Sequence, residues 1–167
     1  FSKKKIKCIG YDIDKNKVKT INNGKLPIQE LKDWFGFDIK SIVKSRYLTA
    51  TNNSKDLYDK RIIIHFIAIP TEKNGKPYFK ILFSVLKKII KIILKNSEIK
   101  PMIIIESTLT PKISEEKIIP FFKSKKIIPG KDFIYAVAPR RDWFVESTKS
   151  LENLDRVFGS TDSKSSK

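Results

Sequence analysis

Apolar positions in this chain fall into short β-branched runs separated by stretches with helical spacing. Residues 6–12 form a strand-sized block with Ile, Cys and Tyr, closed by Asp12. The next stretch, to Lys25, has the spacing of a short helix, with Asp14 in the N-cap position and Gly24 placed to stop it. "LPIQELKDWFGFDIKSIVKS" (26–45) opens on a proline turn and then reads as helix to about Ser45. "RYLTAT" (46–51) is a short strand, and "NNSKDLYDK" (52–60) a capped helical turn or two. "RIIIHFIAIPT" (61–71) is the clearest strand: β-branched, apolar at successive positions and stopped by Pro70. Such continuous runs belong to parallel sheets covered on both faces. "EKNGKPYF" is a turn, and "YFKILFSVLKKIIKIILK" a long amphipathic helix with Leu82, Val85, Leu86, Ile89, Ile90 and Ile93 on one face. "PMIIIEST" (101–108) is another buried strand, "PKISEEKIIPFFKSKK" (111–126) a helix broken near Pro120, and "DFIYAVAP" (132–139) a further strand. Strands alternating with helices predict an α/β fold with a doubly wound parallel sheet.

The length, 167 residues, suits one domain with a real core. No stretch reaches the length of a membrane span, so no membrane association is expected. The start, "FSKKKIKC", has no apolar signal region, and a cytoplasmic location is the default expectation. A single cysteine, Cys8, rules out an internal disulfide and a cysteine-built metal site, and no metal is expected. The net charge of +17 raises the alternative of a basic α/β nucleic-acid-binding protein without enzymatic activity. Against it, only five of the 35 basic residues are Arg, and the Lys are spread along the whole chain. That distribution puts Lys on every solvated face and argues for no nucleic-acid partner.

Two acidic residues end the first apolar block. In open parallel sheets, ligands bind beyond the carboxyl ends of the strands. Asp12 is at such an end, and Thr71 and Thr108 end the next two long strands. An acid at the end of a strand in a dinucleotide fold accepts hydrogen bonds from the adenosine ribose and disfavours a 2′-phosphate. A strand-end Asp that caps the next helix fits position equally well, although Asp14 directly precedes the helical run. The Gly-x-Gly-x-x-Gly loop that should come about 20 residues before such an acid is not in the chain, whose six glycines have no such spacing. Cys8 reads as a small core residue and His65 as an interior histidine of its strand.

The order of these signals resembles the N-terminal half of the UDP-glucose/GDP-mannose dehydrogenase family. "GYDIDKNKVKTINNGKLPIQE" is similar to that family's second strand, helix and "PI" turn, and "IIIHFIAIPTEKNGKPYF" to its "IAVPTP" strand. "IIIESTLTP" is similar to its "ESTVPPG" segment, "AVAPRRDWF" stands where many members have "SPER", and "RVFGSTDSKS" is similar to "RVVGG". The resemblance implies a Rossmann-like sheet lacking its first strand and Gly-rich loop: residues 1–159 as a partial NAD-binding domain, and 160–167 as a polar tail leading towards a central helix. It implies NAD as cofactor, a nucleotide sugar as substrate and a homo-oligomeric parent enzyme. That enzyme would oxidise the sugar C6 alcohol to the carboxylate with two NAD. The catalytic Cys and the Lys, Asn and Asp that assist it would lie downstream, so no catalytic residue is expected here and the chain alone is expected to be inactive. By the same resemblance, Asp12 is the ribose-binding acid, Lys17 helps hold the adenosine end, Thr71 lies near the cofactor, and Thr108 lies near the nicotinamide. Arg140 takes the place of a Glu near the reacting sugar. Arg140 and Arg141 are expected either close to the anionic substrate or facing solvent. "TPKISEE" lacks the Gly of "PPG", so the loop after Thr108 is expected to differ.

Overall fold

A computed structural model describes residues 1–28, 38–58, 61–95, 100–139, 156–163 and 165. Two compact units divide them: Phe1–Leu57 belongs to the first, and the described residues from Tyr58 onward to the second.

The first unit holds β1 (Cys8–Tyr11) and β2 (Leu48–Thr51), paired in parallel with Cys8 opposite Leu48 and Tyr11 opposite Thr51. A parallel pair needs a crossover, and α1 (Lys15–Asn22) lies on it. Asp14 caps α1: its carboxylate accepts from the N–H groups of Asn16 (2.8 Å) and Lys17 (3.3 Å), two of the donors a helix start leaves unpaired. The helix ends where the sequence places its stop. Gly24 takes φ 71°, its N–H reaches the Ile21 carbonyl, and the Lys25 N–H reaches that of Thr20. This is the paired closure that favours glycine in the left-handed conformation. A second reason for glycine is space, since a Cβ on Gly24 would lie 2.8 Å from the Lys40 Cα. The helix expected to run to about Ser45 is seen as α2 (Ile39–Lys44), capped by Asp38; residues 29–37 of that stretch lie outside the described residues.

In the second unit, β3 (Ile64–Ile67) is followed by a hairpin of β4 (Glu72–Lys73) and β5 (Lys76–Pro77). Asn74 and Gly75 turn that hairpin with φ 55° and 71°. Positive φ at both central residues is the turn whose twist matches paired strands, and Asn-Gly is its preferred pair. Next come α3 (Lys80–Lys95), β6 (Met102–Ile105), α4 (Ile119–Lys123) and β7 (Ile134–Val137). The sheet order is β3-β6-β7, all parallel.

One face of this sheet carries the core. His65, Ile103 and Tyr135 share a row, and Ile67 and Ile105 lie in the row two residues on. Leu82, Leu86, Ile89, Ile90 and Ile93 of α3 join Ile67, Ile103, Ile105, Phe122, Phe133 and Tyr135 in one cluster. The predicted helix face is therefore the buried one, with Val85 partly buried at its margin. The other face departs from expectation. Ile64 and Phe66 are 37% and 44% exposed, so β3 is not covered on both sides by the described residues. The helix expected to break at Pro120 does not. A π-helical stretch, Ser114–Ile118, runs directly into α4, so Pro120 lies within a continuous helical run, just after the π turn gives way to α. The outer edge of β7 is occupied too: Gly159 bridges Val137 in the antiparallel sense, and the Tyr135 N–H donates to Ser165 Oγ at 3.3 Å.

Besides Asn74, four non-glycine residues among those described sit at left-handed positions in turns or helix ends. Lys5, Arg46 and Lys126 each have φ 60°. Each lies inside a paired closure like that at Gly24: Arg46 N–H to the Val43 carbonyl with Tyr47 N–H to that of Ile42, Lys126 to Lys123 with Ile127 to Phe122, and Lys5 to Ser2 with Ile6 to Phe1. Lys112 is the fourth, at φ 64°.

Candidate functional site

In the first unit the site begins where β1 ends. The Asp12 N–H still bonds to the Thr51 carbonyl at 3.2 Å, which fixes the backbone at the strand's carboxyl end. Its carboxylate leaves the ladder. Oδ1 accepts the Asp14 N–H at 2.9 Å, and Oδ2 lies 3.7 Å from Lys17 Nζ. The Asp12 side chain is 39% exposed and that of Lys17 54%, so the pair is solvated and contributes little to stability. Its value is geometric. A carboxylate offers about four acceptor positions, of which one backbone donor and one ammonium occupy two. The rest can accept from a pair of vicinal hydroxyls. Asp14 is committed elsewhere, since its Oδ1 serves the first turn of α1. The structure thus separates the two acids that the sequence sets side by side.

In the second unit the ends of β3 and β6 are stitched together. Thr71 Oγ1 donates to the Thr108 carbonyl at 2.6 Å, joining two of the residues expected near a cofactor. Ser107, between them, is buried. Its Oγ accepts the Ile69 N–H at 2.8 Å and donates to the Ile69 carbonyl at 2.7 Å. One hydroxyl therefore pairs both polar groups of a residue beyond the end of β3, where the ladder no longer reaches. Glu106, which follows β6, pairs with Arg156 at 3.4 Å. Neither Ser107 nor Arg156 was singled out for a role, although both lie inside the motifs "EST" and "RVFG". After Thr108, Lys112 adopts the left-handed backbone at φ 64°, a conformation that glycine suits better.

Arg140 and Arg141 lie outside the described residues. Cys8 is partly buried in β1 and forms no disulfide, as a single cysteine requires. His65 is buried with no hydrogen-bond partner on Nε2 among the described residues, and burial holds its pKa below the ordinary 6.5. Burial likewise raises the Tyr135 hydroxyl to about 12, against the lowering effect of its hydrogen bond with Ser114, while the charge of Glu115 raises it further. Among the described residues no group of three His, Cys, Asp or Glu could hold a metal ion, and no helix is long and apolar enough to cross a membrane.

Parallel strands joined by crossover helices, with a pre-oriented acid at a strand's carboxyl end, define a Rossmann-like α/β dinucleotide-binding domain. Its sequence matches that of the UDP-glucose/GDP-mannose dehydrogenase family, NAD binding domain, over residues 1–167, and the chain belongs to that family. The cofactor is accordingly NAD. UDP-N-acetyl-D-mannosamine dehydrogenase of Methanococcus aeolicus is 31% identical over 163 residues, covering 95% of this chain and 34% of the relative. Protein CapL of Staphylococcus aureus is 27% identical over 154 residues, covering 92% of this chain and 34% of CapL. The chain thus spans about a third of the length of these curated relatives. The fold is shared with the crystal structure of GDP-mannose dehydrogenase from Pseudomonas aeruginosa, with a TM-score of 0.74 at 24% identity over 99% of this chain and 38% of that one.

Proposed function

We propose that this chain is the NAD-binding portion of a nucleotide-sugar 6-dehydrogenase that oxidises the C6 alcohol of a UDP-sugar, of the UDP-glucose or UDP-N-acetylhexosamine type, to the uronate. The observation that carries the reading is the Asp12 carboxylate, held by the Asp14 N–H at the end of β1 with acceptor positions to spare. The relative named for UDP-N-acetyl-D-mannosamine supports the UDP-sugar class.

In this reading Asp12 accepts from the adenosine ribose hydroxyls, and Lys17 steadies the same end of the cofactor. Thr71 and Thr108 line the part of the domain that faces the nicotinamide. NAD, when bound, supplies the hydride acceptor; the described residues bind and orient. Arg140 and Arg141 are proposed near the sugar nucleotide. Residues 1–159 form the partial domain, 160–167 lead onward, and the 167-residue chain by itself carries no dehydrogenase activity because the nucleophile belongs to the remainder of the enzyme. The whole enzyme is proposed to be a cytoplasmic homo-oligomer serving polysaccharide biosynthesis.

The test is calorimetric titration of NAD and NADP into the parent enzyme and its Asp12→Asn and Asp14→Ala variants. Asp12→Asn should lose about 1.5–3 kcal/mol of NAD binding, the range for hydrogen bonds to a charged group, and should relax discrimination against NADP. Asp14→Ala should keep its cofactor preference and lose about 1 kcal/mol of stability through the lost cap. The opposite pattern would refute the assignment of the two acids.

A further inference from the structure

One polar side chain outside the proposed cofactor contacts makes an unusual pair of bonds. Asn22, the last residue of α1, donates from Nδ2 to the Ala50 carbonyl at 2.8 Å and accepts the Ala50 N–H on Oδ1 at 2.8 Å. The amide therefore pairs with Ala50 as a neighbouring strand would. The direction of Ala50 explains why this is possible. Tyr47 and Thr51 turn their carbonyls to β1, where they accept from Cys8 at 2.8 Å and Asp12 at 3.2 Å. In a parallel ladder the alternate residues bond the other way. Ala50 thus points its N–H and C=O away from β1, to the outer edge of β2, and Asn22 fills that edge.

The bonds matter because α1 buries no side chain fully. Val18 and Ile21 are only half-buried. A helix of eight residues without a buried side chain is located mainly by its ends. The N-terminal end is tied to Asp12 through the Asp14 N–H, and the C-terminal end to Ala50 through Asn22. Lys17 lies between the two anchors, 3.7 Å from the Asp12 carboxylate. With the second anchor gone, α1 can pivot about Asp14 and carry Lys17 away from Asp12.

We infer that Asn22 is a positioning residue for cofactor binding: by occupying the outer edge of β2 it sets α1 so that Lys17 and Asp12 present one fixed constellation to the adenosine end of NAD. This inference rests on the proposed role of Asp12. Asn22 touches no cofactor in it and acts through the helix.

The experiment uses the parent enzyme with Asn22→Leu, which removes both bonds, and Asn22→Gln, a milder change that keeps the amide's donor and acceptor on a longer stem. Two readouts are taken. Hydrogen exchange at the Ala50 amide reports the anchor without reference to any ligand. A double-mutant cycle with Asp12→Asn, read as the dissociation constant of NAD, reports positioning. Expected are faster Ala50 exchange in Asn22→Leu and a loss of affinity of about tenfold, the low end for removal of an orienting partner. Combined with Asp12→Asn, the loss should largely disappear, because the group being positioned is gone. Asn22→Gln should keep Ala50 partly protected and lose less affinity. Unchanged Ala50 exchange in Asn22→Leu would overturn the anchor. Faster exchange with unchanged affinity, or with losses that simply add to those of Asp12→Asn, would overturn positioning and leave Asn22 a stability residue. Wild-type enzyme that binds no NAD would overturn the cofactor reading, and the positioning claim with it, whatever the exchange shows.

Discussion

Three of the helix ends in this chain close on a basic residue where glycine is the usual occupant, and this makes a quantitative prediction about stability. Lys5, Arg46 and Lys126 all hold φ 60°, a conformation in which Cβ crowds the following carbonyl. The left-handed backbone costs an L-residue roughly 1–2 kcal/mol. Glycine avoids that cost but loses more conformational freedom on folding, about 0.4–1 kcal/mol. The balance for each replacement by Gly is about 0.5–1 kcal/mol in favour of the variant. Arg46 and Lys126 belong to different units, so their effects should add. The triple variant Lys5→Gly, Arg46→Gly, Lys126→Gly should then gain about 2 kcal/mol. With a urea slope of about 2 kcal/mol per molar, its midpoint should rise by about 1 M at unchanged slope. Gly24→Ala is the matched control with the opposite sign, since it takes φ 71° and its new Cβ meets the Lys40 backbone at 2.8 Å. A triple variant whose midpoint stays put or falls, while Gly24→Ala is clearly destabilised, would show that the closures at Lys5, Arg46 and Lys126 are not strained as reasoned.

Ser107→Ala should destabilise the second unit by about 2 kcal/mol in thermal or urea unfolding, because both polar groups of Ile69 lose their partner; a change within error would mean that water replaces the hydroxyl without cost. His65 is the single histidine, and burial lowers its pKa from 6.5. The unfolded chain therefore takes up its proton first as pH falls, so the His65 contribution is fully present above 6.5 and is lost progressively below it. Unfolding midpoints measured between pH 7.5 and about 5, above the range in which ordinary carboxylates titrate, should fall in the wild type and stay level in His65→Leu. An equal decline in both would assign the slope to other groups.

The alternation of strand and helix was legible because each signal is local. Asp14 caps the residues beside it, Gly24 ends the helix it follows, and the α3 stripe repeats every three or four residues. The acid at the end of β1 was legible for the same reason. What escaped reading depends on partners far along the chain. Asn22 meets Ala50 across 28 residues, and Ser107 meets Ile69 across 38. In sequence each is an ordinary polar residue. The exposed face of β3 escaped as well: a continuous apolar run shows that both faces favour burial, and says nothing about which segment supplies the cover. A break near Pro120 is the expectation because proline removes a backbone donor, and the π-helical stretch that precedes it leaves no mark in the spacing.

The stitching between Thr71 and Thr108 has a consequence for the thermodynamics of any ligand that meets either residue. Thr71 Oγ1 reaches the Thr108 carbonyl across 37 residues of chain, and Ser107 holds Ile69 on the same two segments. The segments after β3 and β6 are thereby one mechanical piece, ordered before anything binds. Immobilising a free side chain costs roughly 0.5–1.5 kcal/mol on association, and here much of that cost falls on folding instead. A ligand contacting Thr71 would find Thr108 already in place, and cutting the link should appear as a less favourable binding entropy with little change in binding enthalpy.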